Sequence, residues 1–146
     1  MSAYQENINI LSKAQIDFVD ITDKVKEIVK RSKIKNGIVT VFSKHTTAAI
    51  RINQNEKLLL QDITKVLYRI VPIDENYSHD IFELRETKKL DERSNANAHI
   101  KAFLLGASET IPLKSGKMCL QAWQSIFFVE FDGARKREVF VEVIGE

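Results

Sequence analysis

Along this chain the spacing of apolar residues changes period several times, and each change predicts an element boundary. Asn7 to Leu11 alternates loosely and reads as an opening strand. Phe18 and Val19 lead to Asp20 and Thr22, residue types that cap helices. Ile21, Val25, Ile28 and Val29 then fall at helical spacing, with Lys30, Arg31 and Lys33 at the end where cations favour the helix dipole. Gly37 ends that period. Ile38 to Phe42 is a nearly continuous β-branched and aromatic run, which predicts a central strand buried on both faces. After the polar stretch Ser43 to Thr47, Ala48 to Asn53 alternates, setting Ile50 and Ile52 on one face and Arg51 and Asn53 on the other. Leu59, Ile63, Val66, Leu67 and Ile70 mark a long amphipathic helix that stops before Pro72.

Pro72 to Ser94 is charged, weakly periodic and longer than loops inside domains usually run, which leaves two readings: a lid over a site or a charged excursion with no role. A short helix beginning near Asn95 is expected to carry Ala96, Ile100, Phe103 and Leu104 inward and to end at Gly106. Glu109 to Leu113, Lys117 to Leu120, Gln124 to Asp132 and Arg137 to Ile144 are strand candidates. Turns fall at Ser115-Gly116 and Asp132-Gly133, so the last two strands read as a hairpin. Strict alternation in Gln124 to Asp132 puts Glu130 in phase with Ile126 and Phe128. With no internal repeat or linker, residues 1–146 are expected to form one α+β domain of mixed or antiparallel sheet packed with helices.

Composition narrows the function classes. Twenty-two Lys and Arg against 20 Asp and Glu give a net charge of +2, and no nucleic-acid motif is present, so no nucleic-acid partner is expected. No run of 18 apolar residues and no signal peptide is found, so no membrane partner is expected either. The single cysteine, Cys119, lies in an apolar stretch, reads as a buried structural residue, and fits a reducing, cytoplasmic setting.

Histidine is used three times, at His45, His79 and His99: at the end of the expected central strand, in the long loop, and on the edge of the inward face of the helix from Asn95. Three neutral imidazoles would suit Zn²⁺ or another first-row transition metal with a fourth position open. Mg²⁺ would instead choose oxygens such as those of Glu130, Asp132 and Asp80. The alternative is a satisfied interior His99 and two surface histidines.

Lys44-His45-Thr46-Thr47-Ala48-Ala49-Ile50-Arg51-Ile52-Asn53 resembles a motif of the YjbQ-type family, often described as secondary thiamine-phosphate synthase. Further matches follow in order: Tyr77-Ser78-His79, Asn95-Ala96-Asn97-Ala98-His99-Ile100-Lys101, Trp123-Gln124, and Glu130-Phe131-Asp132-Gly133-Ala134-Arg135. The resemblance implies a compact α+β sandwich, a homotrimer, and a metal or active site lined by His45, His79 and His99. It also implies that Thr46, Thr47, Asn53, Asn95, Gln124, Glu130 and Arg135 lie in or near that pocket. Three departures stand out: Asn53-Gln54-Asn55 where the family has Asn-Glu-Asn, Gln121-Ala122 where it has Gly-Thr, and Ala134 where it has Pro.

The function implied is the joining of a pyrimidine diphosphate to a thiazole phosphate, with zinc, or with Mg²⁺ for the diphosphate. Glu130, Arg135 and Asn53 are the candidate catalytic residues. Thr46, Thr47, Arg51, Asn95, Gln124 and Arg135 are the candidates for binding a phosphorylated small molecule. Two other readings stay open: a zinc-dependent hydrolase with Glu130 as general base, and a non-catalytic metal- or metabolite-binding homo-oligomer.

Overall fold

The alternating stretches are accommodated in two antiparallel sheets, seen in a computed structural model that describes residues 1–86 and 93–146. In chain order the elements are β1 (Ser2–Leu11), β2 (Asp17–Asp20), α1 (Thr22–Ser32), β3 (Gly37–Ser43), β4 (Ala48–Asn53) and α2 (Lys57–Ile70). Two single 3₁₀ turns, Ser78–Asp80 and Phe82–Leu84, precede α3 (Ala96–Leu105), β5 (Ser108–Lys114), β6 (Lys117–Met118), β7 (Ser125–Glu130) and β8 (Lys136–Gly145). The first sheet has the order β1-β8-β3-β5-β6 and the second β2-β7-β4. Every pairing is antiparallel, which settles the sheet type within the expected α+β class.

The two faces of β7 explain the layering. Ile126 and Phe128 turn toward the first sheet and join Val39, Val41, Ile50, Val139 and Val141 in a core that α1 enters with Val25 and Ile28. Phe127 and Val129 turn the other way, onto Leu67 of α2 and Ala98 and Ala102 of α3. The strand buried on both faces is therefore β7, not the Ile38 to Phe42 run. β3 is central in its sheet, but Val39 and Val41 are buried while Ile38 and Phe42 remain about two-fifths exposed, at 42% and 40%. Continuous β-branched sequence reflects β propensity as well as burial, and here only alternate residues face the core.

Three other expectations are corrected. The last two strands form no hairpin: β7 belongs to the second sheet and β8 to the first, so Phe131 to Arg135 crosses between sheets. α3 is turned so that its small residues approach β7 closely, leaving Ile100, Phe103 and Leu104 exposed, and burying Asn97 and Lys101 instead. The Lys101 ammonium donates to Asn97 Oδ1 at 2.8 Å and lies 4.7 Å from the centre of the Tyr68 ring. Cys119 is exposed, because β6 ends at Met118 on the sheet edge.

Of the long segment, residues 87–92 lie outside the described residues, and the lid reading with them. Its described part supports the next helix. Asp80 Oδ1 accepts the N–H of Ala96 at 3.0 Å and so caps α3, whose own N-cap residue Asn95 makes no capping side-chain bond. Among the described residues, no helix is long and apolar enough to cross a membrane.

Ala98 is 1% exposed between α3 and β7, so Ala98→Leu is expected to destabilise the protein by about 1–3 kcal/mol through overpacking. Urea denaturation followed by circular dichroism would measure this.

Candidate functional site

Three chain segments pass from one sheet to the other at the same end of the molecule: Ser12 to Ile16, Lys44 to Thr47, and Phe131 to Arg135. Strand register brings them together, since Asp17 and Ala48 both pair with Glu130, and Leu11 pairs with Lys136. Backbone bonds then join the crossings: Phe131 N–H to the Thr47 carbonyl at 3.1 Å, Ser12 N–H to that of Arg135 at 3.0 Å, and Gly133 N–H to that of Gln15 at 3.1 Å. Residue 133 must be glycine here, because a Cβ would stand 2.1 Å from the Ala14 carbonyl oxygen.

At the centre is a buried ion pair. Arg137 donates from Nε to Glu130 Oε1 at 2.7 Å and from Nη2 to Glu130 Oε2 at 2.6 Å, the two-pronged geometry that suits a guanidinium and a carboxylate. Nη2 also reaches Thr47 Oγ1 at 2.6 Å, and Ser12 Oγ donates to Glu130 Oε1 at 2.9 Å. The N–H groups of Phe131 and Asp132 close the set on Oε2, each at 3.1 Å. Burial alone would raise the Glu130 pKa, but Arg137 and these donors hold it below the ordinary glutamate value. Glu130 is thus an ionised strut with its lone pairs occupied, which differs from the general-base role expected of it.

Against this strut lies a polar pocket of about 340 Å³, lined by Lys44, His45, Thr46, Thr47, Asn95, His99, Asp132, Arg135 and Arg137. An apolar cleft of about 660 Å³, walled by Phe42, Ala48, Ile100, Ala102 and Phe103 among others, shares Lys44, His45, Thr46 and His99 with it. His99, on the first turns of α3, interacts through its ring with the backbone of Thr46. The His79 ring meets it edge to face, with centroids 4.9 Å apart. Burial first, then the neighbouring His79 ring, lowers the His99 pKa. Burial, then the positive charge of Arg137, lowers that of His45. Both imidazoles are therefore neutral at pH 7.

Of the residues expected at the site, His45, Thr46, Thr47, Asn95, His99, Glu130 and Arg135 are brought together here, and His79 joins through His99. Asn95 does not cap its helix but donates to Asp132 Oδ2 at 2.9 Å, and Arg135 holds the same carboxylate at 2.8 Å. Three expected residues lie elsewhere. Arg51 is turned outward to Glu109 at 2.8 Å. Asn53 and Gln124 lie at the other end of β4 and β7, roughly 20 Å along the strand from Glu130. Gln124 lines a separate pocket with Thr22 and Lys26, and Trp123 is exposed.

Arg137 escaped the sequence reading, although a signal for it exists. It is in phase with Val139, Val141 and Val143, so a strand that buries those valines buries the arginine too.

The arrangement does not fit an ion held by three histidines. His45 Nε2 accepts the N–H of Glu138 at 3.0 Å, which uses the lone pair a metal would need. Asp80, Glu130 and Asp132, the oxygen donors considered for Mg²⁺, are engaged by Ala96, Arg137 and Arg135 respectively. Among the described residues, no group of three or more His, Cys, Asp or Glu is placed to hold a metal.

Two antiparallel sheets, a helix-backed second sheet and a pocket formed where the chain changes sheets define a class of α+β protein. The chain belongs to the UPF0047 YjbQ-like family, whose model it matches over residues 6–146. A UPF0047 protein of Methanothermobacter thermautotrophicus is 40% identical over 146 residues, covering 100% of this chain and 95% of its own. The UPF0047 protein YugU of Bacillus subtilis is 30% identical, covering 96% and 98%. The crystal structure of a YbjQ-like protein from Sulfolobus solfataricus superposes with a TM-score of 0.90 at 37% identity, over 99% of each chain.

Glu130→Gln would leave Arg137 charged and buried beside a neutral amide, and is expected to destabilise the protein by about 3–5 kcal/mol; urea unfolding measures it. Because His45 and His99 are harder to protonate folded than unfolded, the unfolded chain binds more protons as the pH falls. Stability should therefore decline from about pH 6.5, the unfolded histidine value, down to the lowered folded values. Thermal midpoints recorded from pH 8 to 5 should show this decline, and a smaller one in His45→Gln and His99→Gln.

Proposed function

We propose that this chain is an enzyme acting on a small phosphorylated molecule, with His99 as the group that handles the proton. The observation that carries the reading is the shared wall: Lys44, His45, Thr46 and His99 border both the apolar cleft and the polar pocket. A molecule with an apolar body and an anionic head would span the two, with its reacting junction beside His99. Neutral, and oriented by its contact with Thr46, His99 keeps a lone pair with which to take a proton from an attacking group. The polar half, with Lys44, Arg135 and Arg137, would receive a phosphate or a departing pyrophosphate.

The synthase reaction implied by the resemblance, between a pyrimidine diphosphate and a thiazole phosphate, is one reaction of this class, and hydrolysis of a phosphate ester is the other. The exposed Ile100, Phe103 and Leu104 on α3 support self-association, as in the homotrimer that the resemblance implies.

The purified chain would be incubated with the two thiamine precursors and, separately, with a panel of phosphate esters. Turnover is expected with one of these, falling about 10²–10⁴-fold in His99→Ala with unchanged circular dichroism. No turnover on any of them, together with no thermal shift in phosphate, pyrophosphate or thiamine phosphate, would reject the reading.

A further inference from the structure

Arg137 carries more than its ion pair needs. Its side chain is only 7% exposed, yet the bonds it makes start from Nε and Nη2 alone, and Nη1 donates to no described residue. A guanidinium has five N–H groups, so the two on Nη1 are left without an acceptor in a nearly buried side chain that lines the polar pocket. Leaving such donors unmatched is unfavourable, which points to an acceptor that enters the pocket.

His45 borders the same pocket, close enough for the charge of Arg137 to act on it. Its tautomer is fixed by the backbone. Because Nε2 accepts the Glu138 N–H at 3.0 Å, the neutral ring carries its proton on Nδ1. The ring therefore offers a donor to a ligand.

We propose that Arg137 Nη1 and His45 Nδ1 together form the oxyanion subsite of this pocket, taking a phosphoryl group, with His45 acting as a neutral hydrogen-bond donor instead of a metal ligand. The inference rests on the phosphorylated-substrate reading above and assigns its anionic end to particular atoms. The other arginines considered for phosphate are differently placed: Arg51 is turned to Glu109, and Arg135 is braced on Asp132. The free N–H groups are both on Nη1 and carry the guanidinium charge, so each can make a charge-assisted hydrogen bond to a phosphoryl oxygen. Since Glu130 already fixes the other edge, Nη1 is presented without rearrangement when the anion arrives.

Isothermal titration of the full chain with inorganic phosphate and with pyrophosphate tests this. Arg137→Lys keeps a charge opposite Glu130 but removes Nη1, and is expected to weaken binding by about tenfold or more. Lys57→Gln, at the start of α2 and outside the pocket, should bind as the parent does. Should Arg137→Lys fail to fold, imidazole ¹⁵N spectra of the parent chain decide. Nδ1 of His45 should be protonated, Nε2 unprotonated, and the Nδ1 signal should move when phosphate is added. Unchanged affinity in folded Arg137→Lys, or His45 protonated on Nε2 or unmoved by phosphate, would overturn the subsite while leaving the broader reading intact. If the parent chain binds neither phosphate nor pyrophosphate, the subsite is overturned, and the broader reading falls with it only where turnover is absent as well.

Discussion

The Glu130–Arg137 pair is the constraint from which the rest of the site follows. Glu130 is the last residue of β7 in one sheet and Arg137 lies near the start of β8 in the other, so their paired bonds fix how the sheets meet at this end. Ser12, just after β1, and Thr47, just before β4, bond to the same pair, so the three crossings at this end are tied to one charge. A buried ion pair adds little to stability compared with apolar residues of the same shape, because both charges lose their water. Its value here is positional. It requires the crossing segments to approach one another, and the pocket is the space left between two of them, Lys44 to Thr47 and Phe131 to Arg135, and the first turn of α3.

Much of this architecture was legible in the residues. Alternation located β4, β7 and β8, and helical spacing located α1, α2 and α3, to within a few residues. Which sheet a strand joins is a non-local property, and local turn chemistry misled: Asp132-Gly133 has the composition of a hairpin turn, but Gly133 is there because the Ser12 to Ile16 crossing presses against it. The inward face of α3 was misread for a similar reason. Its apolar residues are not its buried ones, since close packing on β7 selects Ala98 and Ala102 and carries Asn97 and Lys101 inward with them. No rule of periodicity expects a lysine to be buried against a tyrosine ring.

The candidate site was legible through motif resemblance and much less through physics. His45, Thr46, Thr47, Asn95, His99, Glu130 and Arg135 do converge, but the roles assigned from residue type alone were displaced by partners that only the fold supplies. Glu130 looked like a base until Arg137 was placed beside it. His45 looked like a ligand until the Glu138 N–H was found on its Nε2. In each case the chemistry of a side chain was decided by which lone pair the backbone or a neighbour had already taken.

The departures from the family pattern can be sorted by the same geometry. Gln54 follows β4 directly, and Gln121 and Ala122 precede β7, so all three belong to the end of the second sheet remote from the histidines. There Gln54 N–H is received by Asn53 Oδ1 at 2.8 Å, and Asn55 donates to Asp20 at 2.9 Å. Replacing a glutamate by Gln54 at that end leaves every bond around Glu130, His45 and His99 untouched. Ala134 is different, since it stands between Gly133 and Arg135 in a crossing that lines the pocket. The Ser12 hydroxyl, which receives the Arg135 N–H at 2.8 Å, restrains the turn where a proline ring would have stiffened it. The chain therefore varies from the pattern chiefly at the end remote from the histidines, and keeps the bonds that shape the pocket at the other.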